Sequence, residues 1–431
     1  MGLMRTVGGT VASRLARTAL ARFVLRKAGT KALALLPEGA LIPLRRDGLE
    51  PTAELDRMRE QAPITRLPIP FGVNVWLVTG HAENKQVLAD TTSFSNDYTH
   101  LGEIIGAQGE NPGGLGFADP PDHTRLRKLL TPEFTMRRLA RLGPRIDAIV
   151  EGCLDRMATS SDPVDLVETF ALPIPSLTIC ELLGVPYADR DEFQRLAVAR
   201  FDLFSGAGAS IGAISESLVY LEGVVKAQRA DPGDGLLGMI IREHGDLVDD
   251  RELAGLADGI LTGGFETTAS MLALGALMLL RDPSTSTLLR ADPAAIGPFV
   301  EELLRYLTVV QVAFPRFARR DLEIAGARIS AGDVVVCSLS AANRDTTLVG
   351  ASPAFDPTRL PTQHMAFGHG AHRCIGAELA RMELRAAYPA LVRRFPDLRL
   401  AIPESTLRFR KTSIVYGVEE IPVTTRPTGP R

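Results

Sequence analysis

The sequence predicts one large, mainly α-helical domain with a small β region. Apolar residues recur at helical spacing in six segments, which are 122–140, 144–157, 176–184, 250–282, 296–307 and 375–394. The β-prone runs are short and lie near 62–79, at 322–338 and near 410–424. No linker rich in Gly, Pro or Ser divides the chain, so we assign residues 46–431 to a single domain after a basic extension over 1–45.

Composition excludes several classes of protein. Hydrophobic residues make up 45% and charged residues 23% of the chain, which is ordinary for a globular protein and excludes extensive disorder. The formal net charge of -3 gives no indication of nucleic-acid binding. The four cysteines are far apart and form no CxxC pair, which argues against a disulfide framework. We expect a cytoplasmic protein that does not bind nucleic acid.

The N-terminal segment is strongly basic. Seven Arg and Lys residues precede the first acid, Glu38, and apolar residues recur at three- or four-residue steps between Met4 and Phe23. Such a basic amphipathic helix can lie on a membrane surface. Peripheral membrane contact through residues 1–36 is therefore one interpretation, and a solvated tail or a helix packed on the body is the other.

Segment 250–282 predicts the central helix of the domain. At the usual rise per residue it would be about 50 Å long, and its middle is apolar almost all round, as in helices that cross a protein's centre. Asp249 can cap its start, and Pro283 follows its end. Glu266 in the middle favours a buried core helix over a membrane span.

The most informative stretch is FGHGAHRCIG at 367–376, where glycines surround Cys374. Glycine permits backbone turns that other residues avoid and allows a flat ligand to approach the main chain. An apolar-periodic helix starts directly after Cys374, and a helix N-terminus favours the thiolate. This loop is suited to binding a metal that lies outside it.

The residues alone leave three interpretations of Cys374 open. Zinc needs several converging ligands, and His369 and His372 are near, but no second cysteine stands at ligand spacing. Haem needs only one strong axial ligand from the protein, which a thiolate can supply. The third interpretation is a small buried cysteine in a glycine-rich turn.

The run resembles the haem-binding signature of the cytochrome P450 family, Phe-x-x-Gly-x-x-x-Cys-x-Gly, at Phe367, Gly370, Cys374 and Gly376. The resemblance covers roughly residues 50–424 and is nearest to the soluble bacterial class. It implies the cytochrome P450 fold, with haem b (iron protoporphyrin IX) between the central helix and the helix of the cysteine loop.

The same resemblance implies roles for the loop residues. Cys374 would be the axial ligand of the iron, and Phe367 would shield its sulfur. His372 would contact a haem propionate, and Gly368 and Gly376 would also belong to the cofactor site.

Within the central helix, the run GGFETT places Glu266 next to Thr267 after the glycines 263 and 264. Paired glycines can open a helix, and an acid beside an alcohol can relay protons through water to bound dioxygen. The alternative is a kinked core helix whose threonine bonds back to the preceding turn. Resemblance to the family's acid–alcohol pair favours catalytic roles for both residues.

A further group of residues matches a motif of the family. Glu302 and Arg305 stand three apart on one helix face, and the family's Glu-x-x-Arg pair braces the cysteine loop with a third partner, here Arg359. Alone, the pair would be an ordinary exposed ion pair.

Haem propionates need cations. His123 and Arg127 stand four apart on one helix, and Arg316 lies just before a β-prone run. Each is most simply a surface charge, but each matches a family position that binds the propionates.

The resemblance implies a monooxygenase that inserts one oxygen atom from O2 into an apolar or amphipathic organic substrate, by hydroxylation or epoxidation. We expect four apolar residues to contact the substrate: Phe204, Val310, Val312 and Ile414. No electron-transfer module is visible, so electrons would come from a separate ferredoxin-type donor with its reductase. The docking patch would contain Arg125, Lys128, Arg137 and Arg138, which otherwise form a solvated basic face.

Three alternatives remain at this point. A haem-binding sensor or carrier without turnover would not need Glu266 and Thr267. A zinc-containing structural protein would need more ligands. A peroxide-driven oxygenase or a dehydratase would typically lack the acid–alcohol pair. One departure from the family pattern is Pro389, which we expect to kink or break the helix after the cysteine.

Overall fold

A computed structural model describes residues 37–69, 74–97, 99, 115–185, 207–350 and 352–426, with the backbone alone over 207–217. The basic segment 1–36 and Phe204 lie outside the described residues, as does the loop over 100–114.

The described α-helices are α1 (Ala53–Gln61), α2 (His81–Ala89), α3 (Asp122–Leu130), α4 (Met136–Leu139), α5 (Gly143–Thr159), α6 (Pro173–Leu183), α7 (Ala207–Ala230), α8 (Leu236–His244), α9 (Asp250–Arg281), α10 (Pro283–Ala291), α11 (Ile296–Leu307), α12 (Leu339–Ala342), α13 (Thr346–Val349) and α14 (Ala377–Arg394). The strands are β1 (Arg46–Asp47), β2 (Glu50–Pro51), β3 (Ile64–Arg66), β4 (Val75–Val78), β5 (Phe94–Ser95), β6 (Val164–Asp165), β7 (Arg316–Ala318), β8 (Leu322–Ile324), β9 (Ala327–Ile329), β10 (Val334–Cys337), β11 (Arg399–Leu400) and β12 (Pro422–Thr424).

The largest sheet has the strand order β3-β4-β10-β7-β5. Strand β10 pairs parallel with β4 and antiparallel with β7, so distant parts of the chain meet in one sheet. A three-stranded sheet has the order β11-β12-β6. All three predicted β-prone regions therefore contribute strands, and each strand is only two to four residues long.

Helix α9 passes through the centre of the molecule, as its sequence predicts. The Asp249 carboxylate accepts the Glu252 N–H at the start of the helix, which then runs for 32 residues to Arg281. It packs against α6, α7 and α14. In the described part of the chain it is the one helix long and apolar enough to span a membrane, but 78% of its most apolar 18-residue stretch is buried in the protein. Helix α9 is thus a core helix.

One expected helix boundary and one expected helix break are wrong. The predicted helix 122–140 ends at Leu130, because Pro132 lies in a 3-10 turn that separates α3 from α4. Conversely, α14 continues through Pro389 to Arg394 without a break. Packing holds that helix together: the buried Tyr388 hydroxyl donates a 2.6 Å hydrogen bond to the carbonyl of Met271 in α9.

Candidate active site at the cysteine loop

The glycines of the cysteine loop hold it in a tight turn against α2. Gly368 and Gly370 have φ values of 67° and 72°, in the region that favours glycine. A Cβ atom at Gly370 would lie 2.4 Å from the carbonyl oxygen of Leu88. The Cys374 N–H donates a 2.9 Å hydrogen bond to the carbonyl of Phe367, which closes the turn just before α14 begins.

Cys374 is the one exposed cysteine of the four. Nearby protein nevertheless partly desolvates its thiol, which raises the pKa of Cys374, against the lowering effects of the Gly376 N–H and of Arg373 and Arg127. The expected effect of the helix N-terminus is therefore present but does not dominate. Coordination to a metal deprotonates a thiol outright, so an accessible sulfur at this position can still serve as a thiolate ligand.

The four predicted propionate-binding residues lie together. The His123 and His372 rings are 4.1 Å apart between centroids. Burial, and after it the charge of Arg316 and the neighbouring His123 and Arg127, lower the pKa of His372 to about 3. Burial also lowers the pKa of His123, followed by the charge of Arg127.

This cluster of donors fits the carboxylates of haem b. The Nε2 atom of His123 is buried and has no hydrogen-bond partner among the described residues. The nearby acid is Asp119, whose oxygens already accept hydrogen bonds from Ser95, Asn96 and Arg319. Two propionates would supply the missing negative charge and acceptors.

Glu266 and Thr267 both lie in the middle of α9, but their side chains have different surroundings. The Glu266 side chain is completely buried and forms an ion pair with Arg410. The Thr267 hydroxyl donates a 2.7 Å hydrogen bond to the carbonyl of Gly263. Helix α9 is α-helical throughout, including at its paired glycines. The hydrogen bond from Thr267 to the preceding turn is the one that the alternative interpretation, a core helix without a catalytic role, predicts.

A hairpin from the C-terminal region covers this part of α9. Arg410 N–H donates a 2.9 Å hydrogen bond to the carbonyl of Gly417. A Cβ atom at Gly417 would lie 2.8 Å from the Ser270 hydroxyl, which shows direct contact between hairpin and helix. Sequence reasoning missed Arg410, because nothing in the sequence relates it to Glu266.

Three of the four predicted substrate-contacting residues belong to paired segments beside α9. Gln311 N–H donates a 3.0 Å hydrogen bond to the carbonyl of Ile414. Val310 forms a β-bridge with Val415, and Val312 forms one with Ser338. Next to Cys374, Ile375 packs against the hydrophobic cluster that includes Leu261 and Phe265 of α9. The cysteine loop and the Glu266 segment therefore border the same region of the protein.

The structure brings Glu302, Arg305 and Arg359 together. Arg305 donates two 2.7 Å hydrogen bonds to the Glu302 carboxylate, and Arg359 donates one of 3.1 Å. Arg305 also donates to the carbonyl of Asn343, whose side-chain oxygen accepts the Met365 N–H at 2.6 Å. Asn343 was not singled out from the sequence, yet it connects this triad to the segment that leads into the cysteine loop.

Comparison with known proteins agrees with this geometry. A sequence model of the family "Cytochrome P450" matches residues 297–406. The chain is 41% identical over 391 residues to cytochrome P450 FAS1 of Rhodococcoides fascians, with 89% of this chain and 98% of that protein covered. It is 38% identical over 369 residues to a vitamin D3 dihydroxylase of Streptomyces griseolus, with 84% and 90% covered.

The fold is also shared with solved structures. OxyE, a cytochrome P450 involved in teicoplanin biosynthesis, superposes with a TM-score of 0.81 at 41% identity, over 90% of this chain and 100% of that one. The prediction of a mainly helical cytochrome P450 fold is confirmed. Within the described residues, no three His, Cys, Asp or Glu side chains converge as a zinc site would require. Because the similarity extends over nearly its whole length, the chain belongs to the cytochrome P450 family and is a haem-dependent monooxygenase.

Proposed function

We propose that this monooxygenase hydroxylates or epoxidises an apolar or amphipathic organic substrate with electrons from a separate ferredoxin-type donor and its reductase. The observation that carries the proposal is the arrangement of three groups in one region. They are the accessible Cys374 thiol, the donor cluster around His372, and the Glu266–Thr267 pair of α9.

In this proposal each part of the chain holds one part of haem b. Cys374 would ligate the iron, and Phe367 would cover the sulfur. Gly368 and Gly376 would leave room for the flat macrocycle. Four residues would bind the propionates: His123, Arg127, Arg316 and His372. When bound, haem supplies the activation of dioxygen and the transfer of one oxygen atom.

Glu266 and Thr267 are proposed to move protons. Thr267 holds a hydroxyl at a fixed position through its hydrogen bond to Gly263. Glu266 pairs with Arg410 in the structure, so a role in proton movement requires the two side chains to separate. Solvent reaches the pair from the Arg410 side, because 24% of the Arg410 side chain is exposed and none of Glu266 is.

An apolar substrate is supported by the residues beside α9. Val310, Val312 and Ile414 contribute apolar surface there. Phe117 and Phe314 meet edge to face, with 4.8 Å between ring centroids. Such surfaces bind organic molecules chiefly through burial of apolar area, and the similarity to a vitamin D3 dihydroxylase supports this class of substrate.

The electron donor is proposed to dock on a basic surface near the cysteine loop. Arg125 pairs with Glu252, and Arg138 lies 3.7 Å from Glu133, so two of the four predicted docking residues have acidic partners. Lys128 and Arg137 are exposed, as is Arg373 next to Cys374. We define the donor surface as Lys128, Arg137 and Arg373. An acidic ferredoxin would complement it.

Turnover with labelled dioxygen tests the proposed function. Haem-loaded protein with a surrogate ferredoxin, its reductase and NADPH is expected to transfer one atom of 18O2 to a compound that shifts the haem absorption on binding. Haem binding without NADPH consumption for every such compound would instead favour a sensor or carrier. Replacing the ferredoxin by peroxide distinguishes the peroxide-driven alternative.

We also propose a cytoplasmic location with peripheral membrane contact through residues 1–36, supported by their basic, amphipathic sequence. Flotation with anionic and with neutral lipid vesicles tests this, and equal recovery with both, or with neither, contradicts it.

A further inference from the structure

We propose that Glu301 and Arg381 form a positioning pair that holds the Phe367 ring beside the cysteine loop and thereby raises the reduction potential of the haem. This inference rests on the proposed place of Phe367 next to the sulfur. Neither Glu301 nor Arg381 belongs to the groups that the sequence assigns to the site.

The pair is a bidentate, largely buried ion pair between α11 and α14. Arg381 Nε and Nη2 donate to the two oxygens of Glu301 at 2.6 and 2.8 Å, and the His364 ring nitrogen lies 3.1 Å from one of them. Only 11% of the Arg381 side chain and 14% of the Glu301 side chain are exposed. Burial alone would raise the pKa of Glu301, but the hydrogen bonds from Arg381 and His364 hold it at about 2.

The guanidinium group lies over the aromatic ring. Arg381 Cζ is 4.7 Å from the centroid of Phe367, which is the geometry of a cation–π contact. A third bond, from Arg381 Nη1 to Glu378 at 2.9 Å, fixes the group further. The carbonyl of Phe367 accepts the Cys374 N–H, so the ring and the sulfur belong to the same turn of backbone.

Two adjacent carboxylates of α11 thus fix the cysteine loop from different directions. Glu302 binds Arg305 and Arg359, upstream of the loop. Glu301 binds Arg381, two helical turns downstream of Cys374. Because the Arg381 cation contacts the ring face, it acts on the sulfur through Phe367 as well as through its charge.

The direction of the effect follows from electrostatics. A cation over one part of an aromatic ring draws electron density toward itself and leaves the ring edges more positive. Positive charge near the thiolate disfavours ferric relative to ferrous iron, so it raises the reduction potential. Hydrogen bonds, charge and solvent access around a ligating sulfur are recognised means of setting that potential.

Four variants separate the ring contact from simple charge. R381M removes one positive charge and the contact between Arg381 and the Phe367 ring. E301Q/R381M removes the same contact but leaves the net charge unchanged. R385M is the matched control, because Arg385 lies on the same helix and 3.7 Å from Glu301. R381K keeps the charge but cannot form the bidentate bond, and it serves where R381M fails to retain haem.

The measurement is the reduction potential of haem-loaded protein, with the carbon monoxide spectrum as proof that the cysteine still ligates. We expect R381M to lower the ratio of reduced to oxidised haem about tenfold at a fixed potential, which is about 59 mV for one electron. E301Q/R381M and R381K should each lower the reduction potential by part of that amount, and R385M should lower it by less than a third of that amount. An unchanged potential in both E301Q/R381M and R381K, or an R385M shift as large as that of R381M, overturns the inference.

F367L distinguishes this inference from the function on which it rests. A potential that does not move in F367L contradicts the proposed place of Phe367 itself. A shift in F367L together with unchanged E301Q/R381M and R381K contradicts only the role of the Glu301–Arg381 pair.

Discussion

Arg410 forms an ion pair with Glu266, whose side chain is completely buried in the middle of α9. The arginine belongs to the hairpin that also carries Ile414, on the proposed substrate side. The charge partner of Glu266 is therefore held by the same hairpin that carries a proposed substrate-contacting residue.

Removal of Arg410 should destabilise the protein because it leaves a buried carboxylate without its partner. Loss of one member of a buried pair costs about 3–5 kcal/mol, and the partial exposure of Arg410 reduces our expectation for R410Q to about 2 kcal/mol. Urea unfolding measures it. R408Q, at an arginine 65% exposed beside Glu419, should leave the urea midpoint nearly unchanged.

A double-mutant cycle identifies the origin of that loss. E266Q/R410Q removes both charges, and it should recover most of the stability that R410Q loses, since no buried charge is left unpaired. Additive losses in the double variant would show that Arg410 stabilises the hairpin by other contacts.

Thr267 should affect how much product forms per NADPH consumed, rather than how tightly substrate binds. T267V removes the hydroxyl at constant shape, and we expect product formed per NADPH consumed to fall about tenfold or more, with peroxide released instead. T268V is the matched control, because Thr268 is the next residue and is buried. Equal losses of coupling in both variants would contradict a specific role for Thr267.

Asn343 should stabilise the approach to the cysteine loop. N343A leaves the buried Met365 N–H without an acceptor, which should cost about 1–3 kcal/mol. Urea unfolding and the fraction of protein that retains haem measure the effect. An unchanged urea midpoint together with full retention of haem would contradict this role.

The sequence predicts the architecture well because its strongest signals are local. The apolar run of α9 and the glycines around Cys374 each determine a conformation from neighbouring residues alone. The groups that it does not predict are partners distant in sequence: Arg410 for Glu266, and Asn343 for Arg305. Their contacts arise only when loops 38 or more residues away pack against the helices.

The end of α3 illustrates a different limit. Helical periodicity continues past Leu130, but Pro132 requires a 3-10 turn, and periodicity alone does not register that constraint. At Pro389 the opposite holds, because burial of α14 against α9 outweighs the local cost of proline.

Electron transfer from an acidic ferredoxin should depend on the donor surface and on salt. R137E and K128E should each lower the second-order rate of haem reduction by about tenfold at low ionic strength, and added salt should reduce the difference. R328E changes the same charge at a site 91% exposed on β9 and should have little effect. Equal loss in R328E would indicate a response to net charge alone.

The Glu301–Arg381 pair should make stability depend on pH in a defined window. The folded pKa of Glu301 is about 2, below the ordinary value of 4.5, so its contribution is fully present above about pH 4.5 and is lost as the pH falls toward 2. E301Q should therefore be less stable than the wild-type protein by about 2 kcal/mol at pH 7, and the difference should shrink steadily below about pH 4.5. Urea midpoints of haem-loaded protein between pH 7 and pH 3 measure it. E378Q, which loses an acid 37% exposed beside the same arginine, should cost less than about 1 kcal/mol. A deficit of E301Q that stays constant down to pH 3 would show that Glu301 contributes through shape and not through its charge.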